Sequence, residues 1–156
     1  MYKISIICLG KLKESGYKQL EAEFSKRLSP FAKFQIIELA EEPYFENTDL
    51  DKVRFKEAQK IKKQIKSDSV VVMLEEAGLS KDSLEFASFI ERIGSIQKEI
   101  VFILGSGIGL DPSVKEFSNY TLSLSPMTFP HNMARVVLVE QIYRAMTILS
   151  GKDYHK

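Results

Sequence analysis

Two short runs, Ser69 to Leu74 (Ser-Val-Val-Val-Met-Leu) and Glu99 to Leu104 (Glu-Ile-Val-Phe-Ile-Leu), are apolar at nearly every position. A strand with one face in water alternates apolar and polar residues, because successive side chains point to opposite faces. Runs without that alternation must be covered on both faces, as central strands of a parallel sheet are. Parallel neighbours need crossover connections of a dozen or more residues, usually helical. The two runs therefore demand helices around them, and the rest of the chain has to supply them.

It does so in alternation. Tyr2 to Leu9 is Ile-rich and reads as a first strand, ended by Gly10. Glu14 to Leu28 carries Tyr17, Leu20, Phe24 and Leu28 near helical spacing, and Pro30 follows as a stop. Phe34 to Leu39 reads as a second strand, and Ala40 to Thr48, with Pro43 and Asn47, as a loop. Asp49 to Lys66 is a Lys-rich helix with Asp49 or Thr48 at its N-cap. Ser80 is placed to cap a helix reaching about Ile93, closed by Gly94. Asp111-Pro112 opens a short helix with Pro at its first position. Tyr120 to Leu124 is a fifth strand, and His131 to Ser150 a long helix ended by Gly151. The expected architecture is α/β: a mainly parallel sheet with helices on both faces, in a single domain spanning residues 1–156. Ligands on such sheets bind beyond the carboxyl ends of the strands. The loops after Leu74, Leu104 and Leu124 are therefore the candidates for a binding site.

Composition narrows the setting. With 44% hydrophobic and 28% charged residues the chain reads as soluble and globular. No run approaches a membrane span. The single cysteine, Cys8, cannot form an internal disulfide, which favours a reducing cytoplasmic location, and it reads as a core residue. A net charge of +1 argues against non-specific binding of nucleic acid by overall charge, so an RNA partner would need a local patch. Lys52, Arg54, Lys56, Lys60, Lys62, Lys63 and Lys66 cover most of their helix's circumference. That spread favours a solvated helix face over an RNA-facing stripe.

After the fourth strand comes Leu-Gly-Ser-Gly-Ile-Gly-Leu, with Gly105, Gly107 and Gly109 allowing backbone to approach a ligand. The order G-x-G-x-G misses the dinucleotide fingerprint, and no Gly-Lys-Ser/Thr follows as in a P-loop. A tight strand-to-helix turn accounts for the loop equally well. The final helix is apolar around most of its surface, from Met133 to Leu149, which suggests burial on nearly all sides and an oligomer interface. Its polar residues are few. Glu140 and Arg144 are four apart and can pair on one face, as a structural ion pair or as part of a site.

Together, the glycine loop, Leu-Ser-Pro-Met-Thr-Phe-Pro-His, Arg135, Glu140-Gln-Ile-Tyr-Arg-Ala145 and the closing Tyr154-His-Lys156 resemble the RlmH family over the whole chain. These are SPOUT-class methyltransferases acting on N3 of a pseudouridine in large-subunit (23S) ribosomal RNA. Ser106 stands where the family often has a second glycine, and Lys156 where its tail often ends in arginine. The resemblance implies a C-terminal trefoil knot, a homodimer, and S-adenosyl-L-methionine as cofactor. It places that cofactor at Leu74, Gly105 and the run Leu124, Ser125, Pro126, Met127, Thr128 and Phe129. It implies a ribosomal substrate, with Arg135, Tyr154 and Lys156 on the RNA side and no metal ion.

The acceptor nitrogen lies between two carbonyls, and losing its proton leaves an anion that a nearby cation would stabilise. Arg144 is the first candidate for that cation, with Glu140 beside it, and His155 the candidate proton acceptor. The tail is expected to reach the partner's pocket and to be ordered only on assembly. A SPOUT methylase of another RNA such as tRNA, or a non-catalytic ribosome-binding module, would share much of this pattern.

Overall fold

A computed structural model describes residues 1–94 and 98–156 of the chain. Among the described residues five strands form one sheet: β1 (Tyr2–Leu9), β2 (Ala32–Leu39), β3 (Val70–Ser80), β4 (Glu99–Leu104) and β5 (Tyr120–Ser123). Their order is β2-β1-β4-β3-β5, and every neighbouring pair is parallel. Helices α1 (Ser15–Leu28), α2 (Leu50–Lys62), α3 (Ser83–Gly94) and α4 (His131–Leu149) and a 3-10 helix (Pro112–Phe117) make the connections.

The apolar runs behave as their lack of alternation requires. Ile100, Phe102 and Leu104 of β4, with Val70 and Val72 of β3 and Ile4 and Ile6 of β1, pack against α1, α3 and α4. Val101, Ile103, Val71, Met73, Ile7 and Leu9 point the other way, against Ala58 and Ile61 of α2 and Val114 of the 3-10 helix. All of these are buried. Each such side chain contributes about 1.5–3 kcal/mol through burial, which makes the central strands the firmest part of the chain.

Local differences from the sequence expectation have identifiable causes. β2 begins at Ala32, two residues early, because its ladder with β1 starts at Tyr2↔Ala32. α2 is capped by Asp49, whose carboxylate accepts the Asp51 N–H, but ends at Lys62. Ser80 is not a helix cap: it lies in β3, paired with Ser123. The cap of α3 is Asp82, whose carboxylate accepts the Glu85 N–H at 2.8 Å while Glu85 returns to the Asp82 N–H at 2.9 Å. This is a reciprocal capping box two residues further on. β3 outruns its apolar stretch through a register shift in which Leu74 and Leu79 both face Leu122. Residues 75–78 bulge between them, and Gly78 sits so close to the Leu122 backbone that a Cβ there would fall 2.6 Å from its carbonyl carbon.

Candidate active site

The carboxyl end of β4, the bulge in β3 and the loop after β5 enclose a cleft of about 400 Å³, a size suited to a small-molecule ligand. Leu74, Glu75, Glu76 and Ala77 form one wall, Gly105, Ser106, Gly109 and Leu110 the second, and Leu124, Ser125, Met127 and Phe129 the third. His131 and Ala134 of α4 close it. The segments after Leu104 and Leu124 thus meet as loops, and the one after Leu74 meets them as a bulge within β3 and not as a loop. Of the residues expected around the cofactor, Leu74, Gly105, Leu124, Ser125, Met127 and Phe129 line the cleft, while Pro126 and Thr128 belong to the same loop without lining it.

The glycine loop is held from behind. Gly109, at φ +80°, donates its N–H to the Ser106 carbonyl at 3.0 Å and folds the loop on itself. Ser106 donates its hydroxyl to Glu57 Oε2 at 3.1 Å, and Arg54 donates to the Ile108 carbonyl at 3.3 Å, both from α2. Glu57 is only 2% exposed and also accepts the Glu42 N–H at 3.0 Å. Burial pushes its carboxyl above the ordinary value of 4.5, against the pull of these hydrogen bonds. The native state therefore holds this proton more tightly than the unfolded chain, and stability falls as pH rises through the window above 4.5. Glu57→Gln keeps the shape and removes the titration. Wild type is expected to lose stability relative to Glu57→Gln as pH climbs from 4.5 towards neutrality. Denaturant titrations at stepped pH check this, and a constant difference between the two proteins would count against it.

A second cluster gathers Glu140, Arg144, Tyr154 and His155 at the far end of α4. Arg144 Nη2 donates to Glu140 Oε1 at 2.6 Å, and the Tyr154 hydroxyl donates to the same oxygen at 3.1 Å. His155 Nδ1 lies 3.4 Å from Arg144 Nη1, and the guanidinium sits 4.8 Å from the Tyr154 ring centre. Burial and the Glu140 carboxylate raise the Tyr154 phenol. The tail is turned back by Gly151 at φ +64°, with Gly151 N–H on the Ile148 carbonyl and Lys152 N–H on that of Thr147, a Schellman motif. These bonds turn the tail back against its own α4. Lys156 is exposed. Ala134 and Arg144 are ten residues apart, or about 15 Å along the helix, so this cluster is not part of the cleft within one chain.

Arg135 belongs to neither group. Its side chain is 5% exposed, and Nη2 lies 2.7 Å from Glu38 Oε1 of β2 and 2.7 Å from Glu21 Oε1 of α1. Burial works against its charge, but the hydrogen bonds it donates to Glu21 and Glu38 outweigh it and raise its pKa. Expected on the RNA side, Arg135 instead ties α1, β2 and α4 together, with its donor edge already taken. Arg135→Ala would leave two partly buried carboxylates without their cation, at a cost of about 3 kcal/mol. Thermal unfolding should shift down by roughly 6–12 °C; an unchanged melting temperature would refute the assignment.

The sequence did not single out Glu75, Glu76, Ala77 or His131 as lining residues. The first three reach the cleft through the bulge in β3. His131 stands in the first turn of α4 with Nε2 3.9 Å from Glu41 Oε1. The Phe-Pro-His segment before the helix was the only signal for it. Among the described residues no group of three or more His, Cys, Asp or Glu is arranged to hold a metal ion, and no helix is long and apolar enough to cross a membrane. A family model described as "Predicted SPOUT methyltransferase" matches residues 2–155.

Proposed function

This chain belongs to the SPOUT methyltransferase family, whose chemistry is S-adenosylmethionine-dependent methylation of RNA, and on that premise we propose that it methylates N3 of a pseudouridine in large-subunit ribosomal RNA. The observation that carries the enzyme reading is the three-walled cleft at the carboxyl ends of the strands. Its residues suit a cationic nucleoside. Leu74, Leu124 and Phe129 offer apolar surface for a ring, the backbone of the two loops offers hydrogen bonds, and Glu76 adds an acidic residue to the lining, while the Glu75 carboxylate is taken by Lys115 at 3.0 Å. S-adenosylmethionine supplies an activated methyl group, so the protein's work is positioning and management of one proton.

In this reading Gly105 and residues 124–129, with Leu74, hold the cofactor. Arg144 stabilises the anion that the acceptor imide becomes when it loses its proton. His155, beside Arg144, accepts that proton. Glu140 fixes the orientation of Arg144 and of the Tyr154 hydroxyl, and Tyr154 and Lys156 face the RNA. The separation between cleft and Arg144 cluster along α4 supports a homodimer in which each cleft is completed by the partner's tail. The C-terminal segment is threaded as a trefoil knot, as the family resemblance implies, and the enzyme works in the cytoplasm on the assembled ribosomal particle.

The test is transfer of labelled methyl from S-adenosylmethionine to purified large ribosomal subunits and to free RNA of the same sequence, followed by mapping of the labelled nucleoside. Label at N3 of a pseudouridine in the particle, with little on free RNA, is the expected result. Label in transfer RNA, or at another atom, would overturn the substrate. Equal labelling of free RNA would overturn the requirement for the particle. Absence of saturable cofactor binding would leave only a ribosome-binding module.

A further inference from the structure

We propose that the outward face of α2, a stripe formed by Lys52, Lys56, Gln59 and Lys63 with Phe55 beside it, is a docking surface for the phosphate backbone of the substrate RNA. The inference rests on the RNA-methylase reading above and adds where the RNA lies.

The basic residues of this segment cover most of the helix circumference in sequence, which argues against a stripe. The structure sorts them. Four are engaged within the chain: Arg54 donates to the Ile108 carbonyl of the glycine loop, Lys60 donates to the Ala40 carbonyl at 2.9 Å and pairs with Glu42 at 2.6 Å, Lys62 lies over the Phe117 ring at 5.8 Å, and Lys66 pairs with Glu99 at 3.0 Å. The inward face is otherwise Val53, Glu57, Ala58 and Ile61, all buried. Lys52, Lys56 and Lys63 remain, and with Gln59 they are spaced i, i+4, i+7, i+11, one line along the helix and its C-cap residue Lys63. Lys52, Lys56 and Lys63 on that line are exposed. Lys52 has only a loose contact with Asp49, at 3.8 Å, and its side chain stays 81% exposed. Among the described residues neither Lys56 nor Lys63 makes an ion pair. No acidic residue stands on the line.

Phe55 lies beside this line and is 52% exposed. An aromatic ring among solvated lysines does nothing for the core, but it matches a surface that takes phosphates on ammonium groups and a base on a ring. Position supports the same occupant. The inner side of α2 braces the glycine loop through Arg54 and Glu57, so its outer side lies directly behind one wall of the cleft. RNA held on the stripe would lie about one helix diameter, roughly 10 Å, from that wall. The near-neutral net charge of the chain makes such a local patch the means by which a polyanion would be held.

The experiment uses full-length protein and purified large ribosomal subunits, with binding measured across a range of salt concentrations. Lys52→Gln, Lys56→Gln and Lys63→Gln are combined in one variant. A control carries the same charge loss at the exposed Lys3, Lys18 and Lys33. Glutamine keeps helix propensity, and equal melting temperatures establish that both variants are folded. Each lost phosphate contact removes about 0.7–0.9 from the slope of log affinity against log salt. The stripe variant should therefore lose about 2–3 slope units and the control none. Phe55→Ala should weaken binding about tenfold at every salt concentration with the slope unchanged. Cofactor affinity should be unaltered in all of them.

An unchanged slope in the stripe variant, or an equal loss in the control, overturns the inference while leaving the enzyme reading intact. Wild type that binds S-adenosylmethionine but not the subunits overturns the inference and the ribosomal substrate together. Failure of wild type to bind the cofactor overturns the enzyme reading itself.

Discussion

Gly105→Ala is expected to lower S-adenosylmethionine affinity at least about a hundredfold, the scale of loss that a displacement of about 1 Å in a positioned site produces. A Cβ at this position would fall 2.8 Å from the carbonyl carbon of Gly109 and 3.0 Å from the backbone nitrogen of Leu110. Both are backbone atoms of the same loop and cannot swing aside, so the loop itself must shift. Gly109 and Leu110 line the cleft, and the displacement is delivered directly to the cofactor's wall. Gly107→Ala is the matched control: its nearest neighbour would be the His131 ring at 3.8 Å, an ordinary contact. Calorimetric titration of both variants, with melting curves to show that they fold, decides the matter. Wild-type affinity in Gly105→Ala would remove the glycine loop from the cofactor site.

Arg144→Ala is expected to reduce methyl transfer by about 100- to 1000-fold, the scale seen when one preorganised group facing a developing anion is removed. Cofactor affinity should not change, because Arg144 is not a lining residue of the cleft. Arg144→Lys should recover part of the rate, since it restores the charge without the forked donor that grips Glu140. Single-turnover rates at saturating cofactor provide the measurement. A rate within a few-fold of wild type would exclude Arg144 from the chemistry. The two variants also test the dimer when combined. If one chain's cleft works with its partner's Arg144, a mixed dimer of Gly105→Ala and Arg144→Ala chains contains one intact site and regains activity. If each chain works alone, no mixed dimer has an intact site and none is regained.

The architecture was legible in the sequence because burial leaves a local record. Val70 to Met73 and Ile100 to Leu104 have no polar alternation, and this alone requires cover on both faces. The Glu140–Arg144 pair follows from helical spacing. The turn at Gly151 follows from the cost of a left-handed backbone for any residue with a Cβ. The bulge in β3 was not legible: the apolar run stops at Leu74, so Glu75 and Glu76 read as the start of a loop, whereas the strand continues to Ser80 with Leu74 and Leu79 both meeting Leu122. The cap of α3 was misplaced at Ser80 for the same reason: the strand continued through it.

What the sequence determined by itself was a set of segments, the faces they bury and the three loops that could bind a ligand. The tertiary structure decided which loops meet and what holds them. Glu57 and Ser106 are 49 residues apart, and Arg135 and Glu21 are 114 apart, so no local pattern could report either contact. The same packing sorted the basic residues of this segment, turning Arg54 and Lys60 to backbone carbonyls and Lys62 and Lys66 to Phe117 and Glu99, and leaving Lys52, Lys56 and Lys63 outside. Periodicity along a chain records how much of a segment is covered. Which residue covers it depends on strand order and helix placement, and those are settled only when the whole core closes.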